Sequence, residues 1–274
     1  MISNDLFREQ VNSILSSKKY RDLGIPEETI VDLLEKEWQT GVKPKEALKL
    51  AKRKLHNIIA AYLGDPDYDT AQHELEQALA SQDSTMEKEY CTRLLMSHAS
   101  TRERLPHLDS FYQTIFNITG IPNTLLDIAC AMHPFSLPWM DLPQDIEYHA
   151  YDIHQPRLDL INHYFQLKNL APLAEKRDVL LNPPDAPADV AFIFKETHRM
   201  EKRERGCSLP LWQVLHVDWL VVTLPAYSLT KEHDLRQTHR QLVLDIMHGQ
   251  PWQMTETESG GEMIFCIHKQ SKAI

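Results

Sequence analysis

From Thr124 onward the chain alternates apolar runs of strand length with helical segments, and this alternation limits the possible folds more than any other feature. Runs at 124–129, 146–151, 188–194, 217–223, 252–257 and 262–268 read as strands, with a shorter one near 172–177. Segments 155–170, 198–215 and 231–248 read as helices. Strands separated by helices imply a mostly parallel sheet covered on both faces. The last two strands have no helix between them. Gly260-Gly261 supplies the turn, which predicts an antiparallel hairpin at the sheet edge.

Within this pattern, residues 122–154 point to a ligand. The run Thr124 to Ala129 breaks into a loop of small residues, Ala129-Cys130-Ala131, closed by Pro134. The next strand ends in Asp152. A strand, a small-residue turn and an acid at the tip of the following strand are how α/β sheets hold a nucleoside. The backbone of the turn approaches the ligand, and the acid accepts hydrogen bonds from ribose hydroxyls. The turn contains no glycine, so the glycine-rich fingerprint is absent, and an ordinary buried βαβ unit would read the same way.

The first 120 residues read as helices. Leu48, Ala51, Leu55, Ile58 and Tyr62 share one helical face. Lys43, Lys45, Lys49, Lys52, Arg53 and Lys54 crowd the same segment with one acid, Glu46. A solvated helix face explains such a run as well as a binding surface does. Pro26, Pro44 and Gly64-Asp65-Pro66 punctuate the region, and 68–82 and 85–97 read as two more helices. Ser100-Thr101-Arg102-Glu103 has the form of a capping box, which predicts a helix from Ser100 to about Asn117, ended by Gly120-Ile121-Pro122.

Composition excludes several function classes. The net charge of −10 argues against bulk nucleic-acid binding, though not against a local basic face. No apolar run reaches membrane-spanning length, and charges interrupt the N-terminal stretch, so neither a span nor a secretory signal is expected. Cys91, Cys130, Cys207 and Cys266 have no metal or redox spacing, which fits free thiols in a reducing, cytoplasmic compartment. The fourteen histidines form no zinc motif, so no metal is expected.

Four charged residues are candidates for a pocket. Asp152 ends the second strand, and Asp178 follows the presumed third, where a carboxylate or neighbouring amide can meet an adenine amino group. Asp127 lies inside the first strand, where a buried charge needs a cationic partner or a donor. Arg104 precedes the sheet and could grip a ligand carboxylate as a fork. S-adenosylmethionine offers all of these partners. Taken singly, each residue could equally be a cap or a surface ion pair.

The stretches HASTRERLPHLDSFY at 98–112 and NTLLDIACAMHPFSLPW at 123–139 resemble the aminoglycoside-resistance 16S ribosomal RNA methyltransferases that act on N7 of guanine 1405. SSKKY at 16–20, KLHNIIAAYL at 54–63 and ESGGEMIFCIHK at 258–269 extend the resemblance over nearly the whole chain. It implies a Rossmann-like class I methyltransferase domain at 98–274 preceded by an all-helical RNA-recognition domain at 1–97. The implied cofactor is S-adenosyl-L-methionine and the implied partner is the 16S RNA of the 30S subunit, met by a monomer. By motif position, Arg104 would take the methionine carboxylate, Asp152 with Ile153 the ribose, and Asp178 with Val179 the adenine. Asp127, Ala129 and Ala131 would line the methionine end, and Lys195 would sit beside the target base. Lys52, Arg53, Lys54, His98, Glu201, Arg205 and Ser228 would face RNA.

The chain also departs from the family pattern. The family's Cys-Gly-Leu-Asn-Pro loop is Cys130-Ala131-Met132-His133-Pro134 here. The family's Thr-Leu-Pro after the lysine is Glu196-Thr197-His198, and its later Pro-Thr-Lys-Ser-Leu-Gly loop is Pro225-Ala226-Tyr227-Ser228-Leu229-Thr230 with no Lys-Gly-Met following. Three readings follow: an active methyltransferase on guanine 1405, a diverged homologue with impaired cofactor or target binding that is inactive or acts on another RNA, and a small-molecule methyltransferase. The third gives no account of the basic helical region.

Overall fold

The computed structural model describes residues 4–59, 65–80, 83–228 and 230–269. A seven-stranded sheet organises them. In chain order its strands are β1 (Thr124–Ile128), β2 (Glu147–Asp152), β3 (Ala174–Lys176), β4 (Ala188–Phe194), β5 (Val217–Pro225), β6 (Gln253–Ser259) and β7 (Glu262–His268). Their spatial order is β3-β2-β1-β4-β5-β7-β6. The first five run parallel, while β7 lies antiparallel to β5 and β6. The hairpin expected from Gly260-Gly261 therefore forms, and β6 is the edge. Gly260 has φ +58°, and a Cβ there would stand 2.2 Å from the His107 ring, so close approach as well as the turn requires glycine.

The period-two alternation of the strands divides the core. Leu125, Val190, Phe192 and Cys266 face one layer, while Leu126, Ala191, Ile193 and Phe265 face the other. The first layer is covered by α4 (Tyr68–Ala80), α5 (Ser84–Ser97), α7 (Leu108–Thr119) and α8 (Gln155–Leu167). The second is covered by α9 (Thr197–Arg203), α10 (Ser208–Val214) and α11 (Arg236–Met247). A third core joins α1 (Asn4–Leu15), α2 (Glu27–Gln39) and α3 (Pro44–Ile59), and Ile153 at the tip of β2 reaches into it. Helices α4 and α5 thus share the core of the sheet, whereas α1–α3 have one of their own.

Several expectations are corrected. Ser100 does not cap a helix running to Asn117. A single turn, α6 (Ala99–Arg102), begins after His98, and a 3₁₀ turn at Leu105–His107 separates it from α7. Pro106 has no N–H to donate and its ring crowds the preceding turn, so a continuous helix cannot pass through it. Glu103 reaches Lys195 instead of its own helix start. The helix expected at 198–215 splits after Arg203, where Glu204 turns extended at φ −152°, and Gly206 at φ +84° precedes α10. Helix α11 starts at Arg236 rather than 231, after a loop closed by the Tyr227–Asp234 bridge. Helix α8 stops at Leu167, short of the left-handed Asn169.

On α3 the buried stripe is Ala47, Ala51, Leu55 and Ile59, one position away from the predicted Leu48 and Ile58, which are half-buried. Tyr62, Ala60 to Gly64 and the last two positions of the expected 68–82 helix lie outside the described residues, as does Leu229. Among the described residues no helix is long and apolar enough to cross a membrane. No group of three or more His, Cys, Asp or Glu among them could hold a metal ion.

Candidate active site

The strand order reverses between β1 and β4, and in open α/β sheets ligands bind in the crevice beyond the carboxyl ends of the strands at such a point. A cavity of about 330 Å³ lies there, within the range usual for small-molecule sites. It gathers Arg104, Asp127, Ala129, Ala131, Asp152, Ile153, Asp178, Val179 and Lys195, together with Lys54 and His98. Sequence positions separated by more than ninety residues thus share one cleft.

The backbone of the cleft is itself unusual. Ala129, Ala131 and Lys195, all at the ends of central strands, have φ of +56°, +50° and +56°. Left-handed non-glycine residues cost roughly 1–2 kcal/mol each and cluster at functional sites. Ala131 thus takes a conformation that glycine adopts more readily, and its amide donates to Asp152 Oδ2 at 2.9 Å.

Each predicted charge has partners within the chain. Arg104 is buried over the faces of Phe111 and Phe194, and it forks onto Glu262, with Nη2 2.6 Å from Oε1 and Nε 3.2 Å from Oε2. Burial alone would raise the Glu262 carboxyl, but Arg104 and Lys195 outweigh it and hold the carboxyl below its usual range. The Lys195 ammonium lies 2.7 Å from Glu103 and 3.3 Å from Glu262. Asp152 accepts from the amides of Ala131, Ile153 and His154 and from Arg157, whose guanidinium also forks onto Asp65. Burial opposes the charge on Asp152, but Arg157, His154 and those amides keep its carboxyl below the ordinary range.

Asp178 accepts two bonds from Arg203, at 3.0 and 2.7 Å, one from Thr29 Oγ1 at 2.8 Å and one from the Leu180 amide. Asp127 Oδ2 lies 2.6 Å from His133 Nδ1 and accepts from Tyr148 at 2.8 Å, while Tyr112 stands 2.7 Å from His133 Nε2. With its proton on Nδ1, the His133 ring donates to Asp127 and accepts the Tyr112 hydroxyl, so the whole buried chain is satisfied.

The remaining predicted residues stand outside the cleft. Lys52 and Arg53 are on α3, where Lys45, Lys49 and Arg53 form an exposed stripe at a spacing of four, and exposed Lys18 and Lys19 lie nearby, Lys19 touching His56. Lys54, which lines the cleft, is also tied to Glu37 at 2.6 Å. Glu201 accepts from the Gly206 and Ser208 amides and so closes the α9–α10 turn. Arg205 is exposed in that turn, and Ser228 bonds His233 within its own loop. The sequence reading missed Glu262, Arg157, Arg203 and Thr29. Each is recognisable only by its spatial partner, and no local pattern marks it.

Burial holds His98 and His154 uncharged, each lowered to about 4. Unfolded histidines bind protons from about pH 6.5. The folded state therefore binds fewer protons between pH 6.5 and 4, and stability present above that window is lost as pH falls through it. Glu196, which burial raises to about 7, acts in the opposite sense over pH 7 to 4.5. The loss in unfolding free energy between pH 7 and pH 5, measured with urea, is expected to be smaller in a His154→Gln variant by about 2 kcal/mol.

The residues fit a nucleoside with a charged amino-acid tail: Ile153, Val179, Leu180 and Met200 offer apolar walls, and Arg104, Asp127 and Asp152 offer charge at fixed places. Comparison with known proteins gives the same direction. A model of the family described as ribosomal RNA methyltransferase (FmrO) matches residues 16–265. The 16S rRNA (guanine(1405)-N(7))-methyltransferase of Micromonospora rosea is 32% identical over 227 residues, which cover 82% of this chain and 83% of that protein. The structure of the 16S rRNA methylase RmtB is similar with a TM-score of 0.76 at 27% identity, covering 96% of this chain and 98% of that one. The structure of the 16S rRNA methyltransferase RmtF in complex with S-adenosyl-L-homocysteine gives a TM-score of 0.80 over 98% of this chain and all of that one. At 24% identity this is a likeness of fold alone.

Proposed function

The chain belongs to the ribosomal RNA methyltransferase (FmrO) family, and from that premise we propose that it methylates N7 of guanine 1405 in the 16S RNA of the 30S subunit and so confers aminoglycoside resistance. The observation that carries this reading is the convergence of Arg104, Asp127, Asp152 and Asp178 on one cleft at the switch point of the sheet. Bound S-adenosylmethionine supplies an electrophilic methyl group. The protein's part is to bind and align. N7 of guanine carries an in-plane lone pair and no proton, so no general base is required, and none is needed among the cleft residues. Arg104 presents a fork to a carboxylate, Asp127 a negative charge to a cation, and Asp152 the acid beside a ribose. Lys195 positions the incoming base at the end of β4. Extruding a guanine from structured RNA costs a few kcal/mol, which contacts at the rim must offset.

The helical region through Ser97 serves as the RNA-recognition domain in this proposal, with residues 98–274 as the catalytic domain. The exposed Lys45, Lys49 and Arg53 stripe gives it a basic face on a chain of net charge −10. The enzyme is proposed to act as a monomer in the cytoplasm, where 30S subunits are found. Purified protein, 30S subunits and S-adenosylmethionine test the reading: primer extension is expected to stop at guanine 1405 after borohydride–aniline cleavage, and a host expressing the gene is expected to resist aminoglycosides. Unmodified 30S and unchanged susceptibility, with folded protein present, would reject it.

A second reading, a diverged homologue that binds cofactor poorly, is favoured by the commitment of Arg104 to Glu262 and of Asp178 to Arg203. Calorimetric titration with S-adenosylmethionine separates the two.

A further inference from the structure

The acids of the cleft differ in what their oxygens already hold. Asp127 receives His133 and Tyr148; Asp152 receives three amides and Arg157; Asp178 receives Arg203 twice, Thr29 and an amide. Glu196 is the exception. Among the described residues its carboxylate has a single close contact, Arg199 Nε at 3.4 Å, and 28% of its side chain is exposed. It lines the cleft. A partly desolvated carboxylate with one long ion contact is under-satisfied, and a ligand donor recovers part of that cost.

Its place in the sheet says which ligand group. Strand β1 lies between β2 and β4. Asp152 ends β2, and Glu196 stands two residues beyond β4, after the left-handed Lys195. The two acids therefore flank the tip of β1 from opposite sides, at the switch point itself, and the charge of Asp152 is felt at Glu196. A cis-diol placed over the β1 tip has two hydroxyl donors. On the Asp152 side a hydroxyl competes with the four donors those oxygens already hold, so the second hydroxyl has more to gain from Glu196.

Resting on the reading of the cleft as a nucleoside site, we propose that Glu196 is a cofactor-binding residue that accepts a hydrogen bond from one ribose hydroxyl, sharing the diol with Asp152. The hydroxyl donates to the carboxylate oxygen, which is acceptor-only when ionised. Binding consequently favours the deprotonated acid. Burial pushes that carboxyl up to about 7, with Arg199 and Arg203 opposing and Asp152 adding to the rise. Of the charged and titratable groups lining the cleft, Asp152 on β2 and Arg199 and Arg203 on α9 act on its charge, and Lys195 beside it, Lys202 on α9, Lys54 on α3, Arg104, Asp127, Arg177, Asp178 and His98, which burial keeps uncharged, line the same cleft.

The test is calorimetric titration of the full chain with S-adenosyl-L-homocysteine and with its 2′-deoxy and 3′-deoxy counterparts. The unmodified protein is expected to bind S-adenosylhomocysteine more tightly as pH rises from 6 to 8. Glu196→Gln is expected to bind it about tenfold or more weakly at pH 8 and to lose the pH dependence, and Glu196→Thr to behave alike. For the one deoxy compound lacking the hydroxyl that Glu196 takes, variant and parent are expected to bind equally. Equal affinity of parent and variants for S-adenosylhomocysteine, or the same loss with both deoxy compounds, overturns this proposal while leaving the methyltransferase reading intact. No binding of S-adenosylhomocysteine by the parent at any pH overturns both.

Discussion

Glu262→Ala is expected to lower the unfolding free energy by about 3–5 kcal/mol, the range found when one member of a buried ion pair is removed. Both side chains of the Arg104–Glu262 pair are almost wholly excluded from solvent, at 2% and 3% exposure. Alanine at 262 leaves the guanidinium between Phe111 and Phe194 without its fork, and Lys195 loses its buried acid, keeping only the half-exposed Glu103. Both effects point the same way, and the larger is at Arg104, which is stranded as a cation in a site of low dielectric. Replacing both partners, as Arg104→Met with Glu262→Met, is expected to cost far less, since no charge is then left behind. Urea denaturation of the parent, both single variants and the double variant closes the cycle. A single-variant loss below about 1 kcal/mol would show that water or a rearranged acid reaches Arg104, against the packing described. The pair also bears on ligand binding. A ligand carboxylate must share Arg104 with Glu262, so the hairpin that carries Glu262 is part of the site even though it lies 158 residues away in sequence.

What the sequence could disclose was whatever is local. Strands 188–194 and 262–268 appear with the predicted bounds, because continuous apolar β-branched and aromatic runs have no helical period to compete with. The hairpin turn was visible in two adjacent glycines. Arg104, Asp127, Asp152 and Asp178 were visible as charges at strand ends or in motif positions, and they do meet in one cleft. Their partners were not visible. Thr29 lies 149 residues from Asp178 and Asp65 lies 92 from Arg157, and no spacing rule connects such positions. Ala131 gives the opposite lesson. Alanine stands where the resembled family has glycine, and it adds a methyl group at the turn, yet the residue is left-handed with φ +50° and its amide reaches Asp152. The altered capping box misled for a physical reason: Pro106, three residues on, overrides a favourable helix start.

Asp178→Ala is expected to cost about 3–5 kcal/mol as well, and to do so unevenly across the molecule. The carboxylate joins three separate elements: Thr29 on α2, Arg203 on α9 and its own loop after β3. Arg203 also lies 3.6 Å from Asp32, so without Asp178 the guanidinium keeps only a longer contact. α2 is held to α9 at a second point, Lys36 to Glu204 at 2.5 Å, but that pair is exposed and contributes little. The core of α1–α3 also meets the rest of the chain through Ile153 and through Arg199 of α9, which donates to the carbonyls of Asn57 and Ile58. Loss of the clasp should therefore loosen α2 and α9 first. Hydrogen exchange of the variant is expected to show reduced protection in Glu27–Gln39 and Thr197–Arg203, with β4, β5 and β7 retaining theirs. Thr29→Val removes one donor and leaves the ion pair, so its cost should stay near 1 kcal/mol. A loss spread evenly over the sheet would mean that Asp178 supports the fold as a whole and does not act as a tie between the helices and the cleft. The distinction matters for catalysis, since α9 borders the cleft on one side and packs against the basic helix α3 on the other. A substrate that moved α3 would then be felt at Glu196, Arg199 and Arg203 through one short helix.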